Sequence, residues 1–166
     1  KCGSGHFCEG DATNQTACPP GFYATNKGSI ACIECAPGMY ADSFGTTSCK
    51  HCDPDSYQPK SNATNCISVR KGFYQSGPTT EVICPAGKSG SGGNATCQDC
   101  MKGTFQSTAG KTTCDDCPSG WGNSGNRSTG CNAVPPGSYT LNGVQTVCER
   151  GYTCAGANAS RTPCPT

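Results

Sequence analysis

Long apolar runs are missing from this sequence, and with them the material for an ordinary core. Only 33% of its 166 residues are hydrophobic even when cysteine is counted among them, and Gly, Pro, Ser or Asn breaks each apolar stretch after a few residues. No stretch reaches the roughly 18 to 20 apolar residues of a membrane-spanning helix, and residues 1–20 lack a signal-peptide core. The segment is therefore expected to hold neither an export signal nor an anchor and to make no direct membrane insertion. Charge is scarce too: 12 basic and 11 acidic residues leave a formal net charge of +1. There is no basic block, acidic tail or basic face interleaved with aromatics, so nucleic acid is not an expected partner. Histidine is reduced to His6 and His51, which read as solvent-facing, and no Ser-His-Asp set can be assembled. The chain is not expected to be an enzyme, and no catalytic residue or cofactor is assigned.

Cysteine is what the sequence has instead. Its 17 cysteines, with 23 Gly and 12 Pro, match extracellular scaffolds made in an oxidising compartment, where disulfides replace apolar burial. Five Asn-x-Ser/Thr sequons, at Asn14, Asn62, Asn94, Asn126 and Asn158, all fall in polar loop stretches and agree with a secretory route, so N-linked glycans are expected partners. A secreted or cell-surface location follows.

Aligning the chain on its cysteines exposes a repeat. From Cys18 the series Cys18, Cys32, Cys35, Cys49, Cys52 and Cys66 alternates 13 and 2 intervening residues, a unit of 17. Units open alike, as Cys-Pro-Pro-Gly-Phe-Tyr at 18 and Cys-Ala-Pro-Gly-Met-Tyr at 35, while Val69 and Val134 replace the opening cysteine of the fourth unit in each of two sets. The expected organisation is a flanking element over 1–17, four repeats over 18–83, four more over 84–147, and the flanking element again over 148–166, since Cys2, Cys8 and Cys18 are spaced like Cys148, Cys154 and Cys164. That equivalence suggests sequential pairs: Cys2–Cys8, Cys18–Cys32, Cys35–Cys49, Cys52–Cys66, Cys84–Cys97, Cys100–Cys114, Cys117–Cys131 and Cys148–Cys154. Cys164 is left over, as if it opened a further unit and the array continued. Nested and crossed pairings stay open at this point.

Within each unit a glycine stands fourth, an aromatic sixth and a polar Gly/Asn/Ser cluster midway, the pattern of a short irregular β-hairpin closed by a disulfide at its base. Asp55 is the one substitute for the glycine. The aromatics Tyr23, Tyr40, Tyr57, Tyr74, Phe105 and Tyr139 are expected to cover the disulfides and to give each repeat its own small core. The valine-opened units, 69–83 and 134–147, lack a staple. They are expected to be flexible joints or contact sites, or else places where a cysteine pair was dispensable.

These residues, Cys-Pro-Pro-Gly-Phe-Tyr through Cys-Ile-Glu-Cys-Ala-Pro-Gly-Met-Tyr to Cys-Lys-His-Cys, resemble the cysteine-rich repeat of ephrin receptors and of large surface proteins of protists and animals. The first hairpin of the tumour necrosis factor receptor repeat is similar, and EGF-like modules more loosely. The departures are Val69, Val134 and Asp55, with Ser89 and Gly122 in place of the aromatic. The resemblance implies a small disulfide-rich fold, mostly irregular with short β-hairpins and little or no helix, arranged as an elongated tandem-repeat rod. It implies a spacer, adhesive surface, receptor stem or fibre building block, with other copies of itself or other extracellular proteins as partners.

Two rival chemistries lie close to the same residues. Cys32, Cys35, Cys49 and Cys52, and again Cys97, Cys100, Cys114 and Cys117, approach the spacing of a four-thiolate zinc ribbon. The 17-residue phase nevertheless runs on to Cys18 and Cys66 without a break, and favours disulfides. A Cys-x-x-Cys redox centre needs a low-pKa thiolate at a helix start, and no helix is evident. Asp53, Asp55, Asp99, Asp115 and Asp116 gather at unit junctions, where charged loop surface is the default reading over a calcium contact. No metal site is assigned.

Overall fold

Each repeat opens on a tight turn whose chemistry is written in its second to fifth residues. A computed structural model describes residues 2–10, 14–93, 95–157 and 160–165. In the repeat that begins at Cys18, the Phe22 N–H donates to the Pro19 carbonyl at 3.1 Å, with Pro20 and Gly21 at the corner and Gly21 at φ 87°. This is a type II turn, in which proline presets the first corner angle and only glycine accepts the second without strain. The Pro54–Asp55 corner keeps the equivalent bond, from Ser56 to Asp53 at 3.0 Å.

The turn sends the chain into a hairpin. Ten two-stranded sheets form among the described residues, each from consecutive strands, and no helix occurs there. Most strands are two residues long, for example Phe22–Tyr23 with Ile33–Glu34 and Met39–Tyr40 with Lys50–His51. The flanking elements, set apart in the sequence by their cysteine spacing, hold the same hairpin: His6–Phe7 pairs with Thr16–Ala17, and Tyr152–Thr153 with Thr162–Pro163. The valine-opened hairpins are longer. Phe73–Gln75 pairs with Glu81–Ile83, and Ser138–Leu141 with Val144–Val147 across Asn142 (φ 51°) and Gly143 (φ 72°). Those two angles make a type I′ turn, the commonest tight hairpin connection, and the Asn-Gly pair signals it. Extra ladder bonds stand where the disulfide is missing.

The chain sorts into two compact units, residues 1–70 with 74–82 and 92–96, and residues 71–73 with 83–91 and 97–166. In the first, the opening N–H of a repeat donates to the fourth residue of the repeat before it, Cys18 to Gly5, Cys35 to Gly21, Cys52 to Gly38 and Val69 to Asp55, at 2.8–3.1 Å. In the second the same bond joins Cys84 to Gly72, Cys100 to Gly87, Cys117 to Gly103, Val134 to Gly120, Cys148 to Gly137 and Cys164 to Gly151, over the same range. The fourth residue's own N–H reaches the seventh residue of the next repeat, as in Gly21 to Ala41 at 2.8 Å and Gly87 to Gln106 at 2.7 Å. Because these bonds are made by backbone, side chains can vary from repeat to repeat without breaking the stacking.

Within each unit the core lies along a seam of these bonds. Opening cysteines Cys2, Cys18, Cys35, Cys84 and Cys100 are fully buried, and Ala24 and Ala41, at the seventh position, are equally enclosed. Val69 and Val134 are buried in the same register. They are core residues filling the place of a cysteine. Close packing extends one repeat further: a Cβ on Gly21 would lie 2.1 Å from the Asn62 Oδ1, and one on Gly87 2.3 Å from the Arg127 carbonyl.

Candidate functional site

The disulfides close the hairpins at their base. Cys18–Cys32, Cys35–Cys49, Cys52–Cys66, Cys84–Cys97, Cys100–Cys114 and Cys117–Cys131 bridge Cα atoms 5.7–5.8 Å apart. Cys2–Cys8 and Cys148–Cys154 instead join the opening residue to the seventh, at 6.0 and 5.9 Å. Cys164 is exposed and free. In the two quartets with zinc-ribbon spacing the middle pair is thus closed on itself, Cys35–Cys49 and Cys100–Cys114, while the outer cysteines bridge within neighbouring hairpins, and no cluster of three or more His, Cys, Asp or Glu suited to a metal ion occurs among the described residues.

The sixth-position aromatics sit beside the seam instead of forming its centre. Tyr23, Tyr40, Tyr57, Tyr74 and Phe105 are half-buried, and only Tyr139 of this set is buried. Tyr40 lines a notch with Ser56, Asn65 and Cys66 of the following hairpin. Phe7 lines the matching notch with Phe22, Ile30 and Cys32. One geometry therefore recurs with opposite chemistry, polar at Tyr40 and apolar at Phe7.

The seventh position holds functional side chains that sequence reasoning passed over. The buried Gln106 donates from Nε2 to the Thr113 carbonyl at 3.0 Å and to the Asp115 carboxylate at 3.2 Å, while its Oε1 accepts the Thr108 N–H at 3.2 Å. Gln58 does the same with Asn65 and Lys60, at 2.8 and 3.1 Å. Asn123 accepts the Gly103 N–H at 2.8 Å and donates to the Thr104 carbonyl at 3.0 Å. Each satisfies loop backbone groups from inside, so the loops cross the seam without unpaired amides. A seven-residue count from each opening cysteine is the signal that would have found them.

Two of the five junction carboxylates, Asp99 and Asp115, have protein partners. Asp99 meets the Lys88 ammonium at 2.8 Å and the Arg127 guanidinium at 3.8 Å; Asp115 meets Gln106 as above. Arg161 pairs with Glu149 and lies over the Tyr152 ring at 4.4 Å from its centroid, a cation–π contact in the second unit. Of the sequons, Asn14, Asn62 and Asn126 are exposed; Asn94 and Asn158 lie outside the described residues. Asn62 also has a backbone reason for being asparagine, since its φ is 57° and Asn tolerates the left-handed region better than other side chains.

The most distinctive electrostatic feature was also missed. Glu81 stands three residues before Cys84, where Cys66 stands relative to Val69, so it occupies the second cysteine position of the unit that Val69 opens. Its side chain is only 6% exposed. The Arg70 backbone N–H donates to it at 2.9 Å and the Arg70 guanidinium pairs with its other oxygen. Burial pushes Glu81 upward, but the Arg70 backbone and side-chain bonds and the Arg70 charge outweigh it and hold the carboxyl below its ordinary range. Tyr57 is pushed up, first by burial and then by the Glu81 charge.

A family model described as tyrosine-protein kinase ephrin type A/B receptor-like matches residues 5–52 and 87–129, more than half of the 166 residues. The chain belongs to that family. No curated protein matches it individually. Both stretches cover ephrin-receptor-like hairpins with their own disulfides, while Asp55, Val69, Glu81 and Val134 fall outside the match. An ephrin-receptor-like repeat with eight disulfides points to an extracellular, disulfide-rich module. No helix among the described residues is long and apolar enough to cross a membrane.

Proposed function

We propose that this chain is a non-enzymatic, N-glycosylated structural segment, forming the shaft or coat of an extracellular appendage or filament. The observation that carries the reading is the recurrence of one backbone bond at every step, from Cys18–Gly5 to Cys164–Gly151. A stack held by backbone geometry adds units without a change in chemistry, which suits load-bearing repetition. Its partners are N-linked glycans at the sequons and other copies of itself or other extracellular proteins. A second reading, a spacer or ligand-binding stem of a cell-surface receptor or adhesion protein, draws support from the ephrin-receptor-like description of the matching family. Electron microscopy of native material separates the two. Regular polymers containing this chain support the filament, whereas isolated membrane-attached particles support the stem.

A further inference from the structure

We propose that Glu81 stands in for the absent disulfide of the Val69 repeat and makes the 69–83 hairpin an acid-released joint in a series of covalently locked ones. Val69 and Glu81 occupy the two positions that cysteines hold in the neighbouring repeat, Cys52 and Cys66. A carboxylate with a buried side chain ties the return strand Glu81–Ile83 to the residue after Val69. Two donors converge on it, the Arg70 N–H and the Arg70 guanidinium. An ionised carboxylate offers only acceptors and satisfies both. The protonated acid loses the charge and sets a hydroxyl hydrogen among groups that are themselves donors.

Arg70 and Tyr57 are the titratable or charged groups that face Glu81 from the packed elements. The carboxyl's depressed pKa in the folded state fixes the direction: its contribution is complete above the unfolded value, about 4.3, and is lost as pH falls through the lower folded value. The fold supplies a matched comparison. The hairpin 134–147 also lacks its disulfide, but Gln145 stands three residues before Cys148 and the segment contains no carboxylate; four-residue strands hold it instead.

Backbone amide protection in the intact chain, measured by NMR exchange and corrected for intrinsic pH dependence, tests the proposal between about pH 7 and about pH 3. Protection of the 73–75 and 81–83 amides is expected to fall about tenfold on acidification, while 138–141 and 144–147 hold. Glu81→Gln is expected to show the acid-state protection at neutral pH and no further response. The double change Val69→Cys with Glu81→Cys is expected to close the missing bridge and abolish the acid response. Parallel loss at both valine hairpins, or an unchanged response in Glu81→Gln or in the disulfide variant, overturns it.

Discussion

At the scale of single residues, the seam punishes added atoms according to what faces them. Gly21 and Gly28 share a left-handed backbone, at φ 87° and 83°, but a Cβ on Gly21 would collide with Asn62 whereas one on Gly28 meets nothing within 4 Å. Gly28→Ala is expected to cost only the conformational term, about 1 kcal/mol, and Gly21→Ala about 2 kcal/mol or more. Local stability from native-state amide exchange of the Phe22–Tyr23 hairpin checks the ordering. Gln106 is sensitive for a different reason. Gln106→Leu keeps the bulk but strands the Thr108 N–H and the Thr113 carbonyl, at an expected cost of about 1–3 kcal/mol, read from denaturant midpoints.

At the scale of the hairpin, the strands are too short to stand alone. A two-residue ladder such as Met39–Tyr40 with Lys50–His51 cannot offset the entropy of ordering the loop between them, so the Cys35–Cys49 bridge carries that loss by restricting the unfolded chain. Replacing both Cys35 and Cys49 by Ala is expected to remove about 3 kcal/mol locally. The hairpin's own amides are then expected to exchange faster than those of 138–147, whose four-residue strands and Asn142–Gly143 turn need no bridge. Near-equal exchange in the two segments would show that the ladder, and not the disulfide, holds the short hairpins.

At the scale of the whole molecule, buried sulfur takes the role that leucine and valine play elsewhere, because the five largest fully buried side chains among the described residues are all cysteines. Complete reduction is therefore expected to collapse amide chemical-shift dispersion along the chain, while a strong metal chelator leaves the spectrum unchanged. Non-reducing peptide mapping is expected to return the eight sequential bridges. A thiol reagent applied to the folded 166-residue chain is expected to spare the sixteen bridged cysteines and to react at Cys164. Chelator-dependent unfolding, or labelling at Cys32, Cys35, Cys49 and Cys52, would restore the zinc reading.

The sequence by itself determined the repeat, its hairpins and its turn chemistry. Cysteine spacing, Pro-Gly corners and interrupted apolar runs are local constraints, and local constraints survive in a linear pattern. Only the tertiary structure decided what each position faces. It placed the sixth-position aromatics beside the seam, the seventh-position amides inside it, and Val69 and Val134 at its centre. It gave the flanking elements the same hairpin despite their different bridges, since the Cys18 to Gly5 bond depends on backbone register and not on which cysteines pair. Glu81 was the least legible residue. Nothing in a lone acidic side chain between Thr80 and Val82 announces burial; that follows from Arg70 reaching it from a separate point in the chain, which spacing alone does not encode.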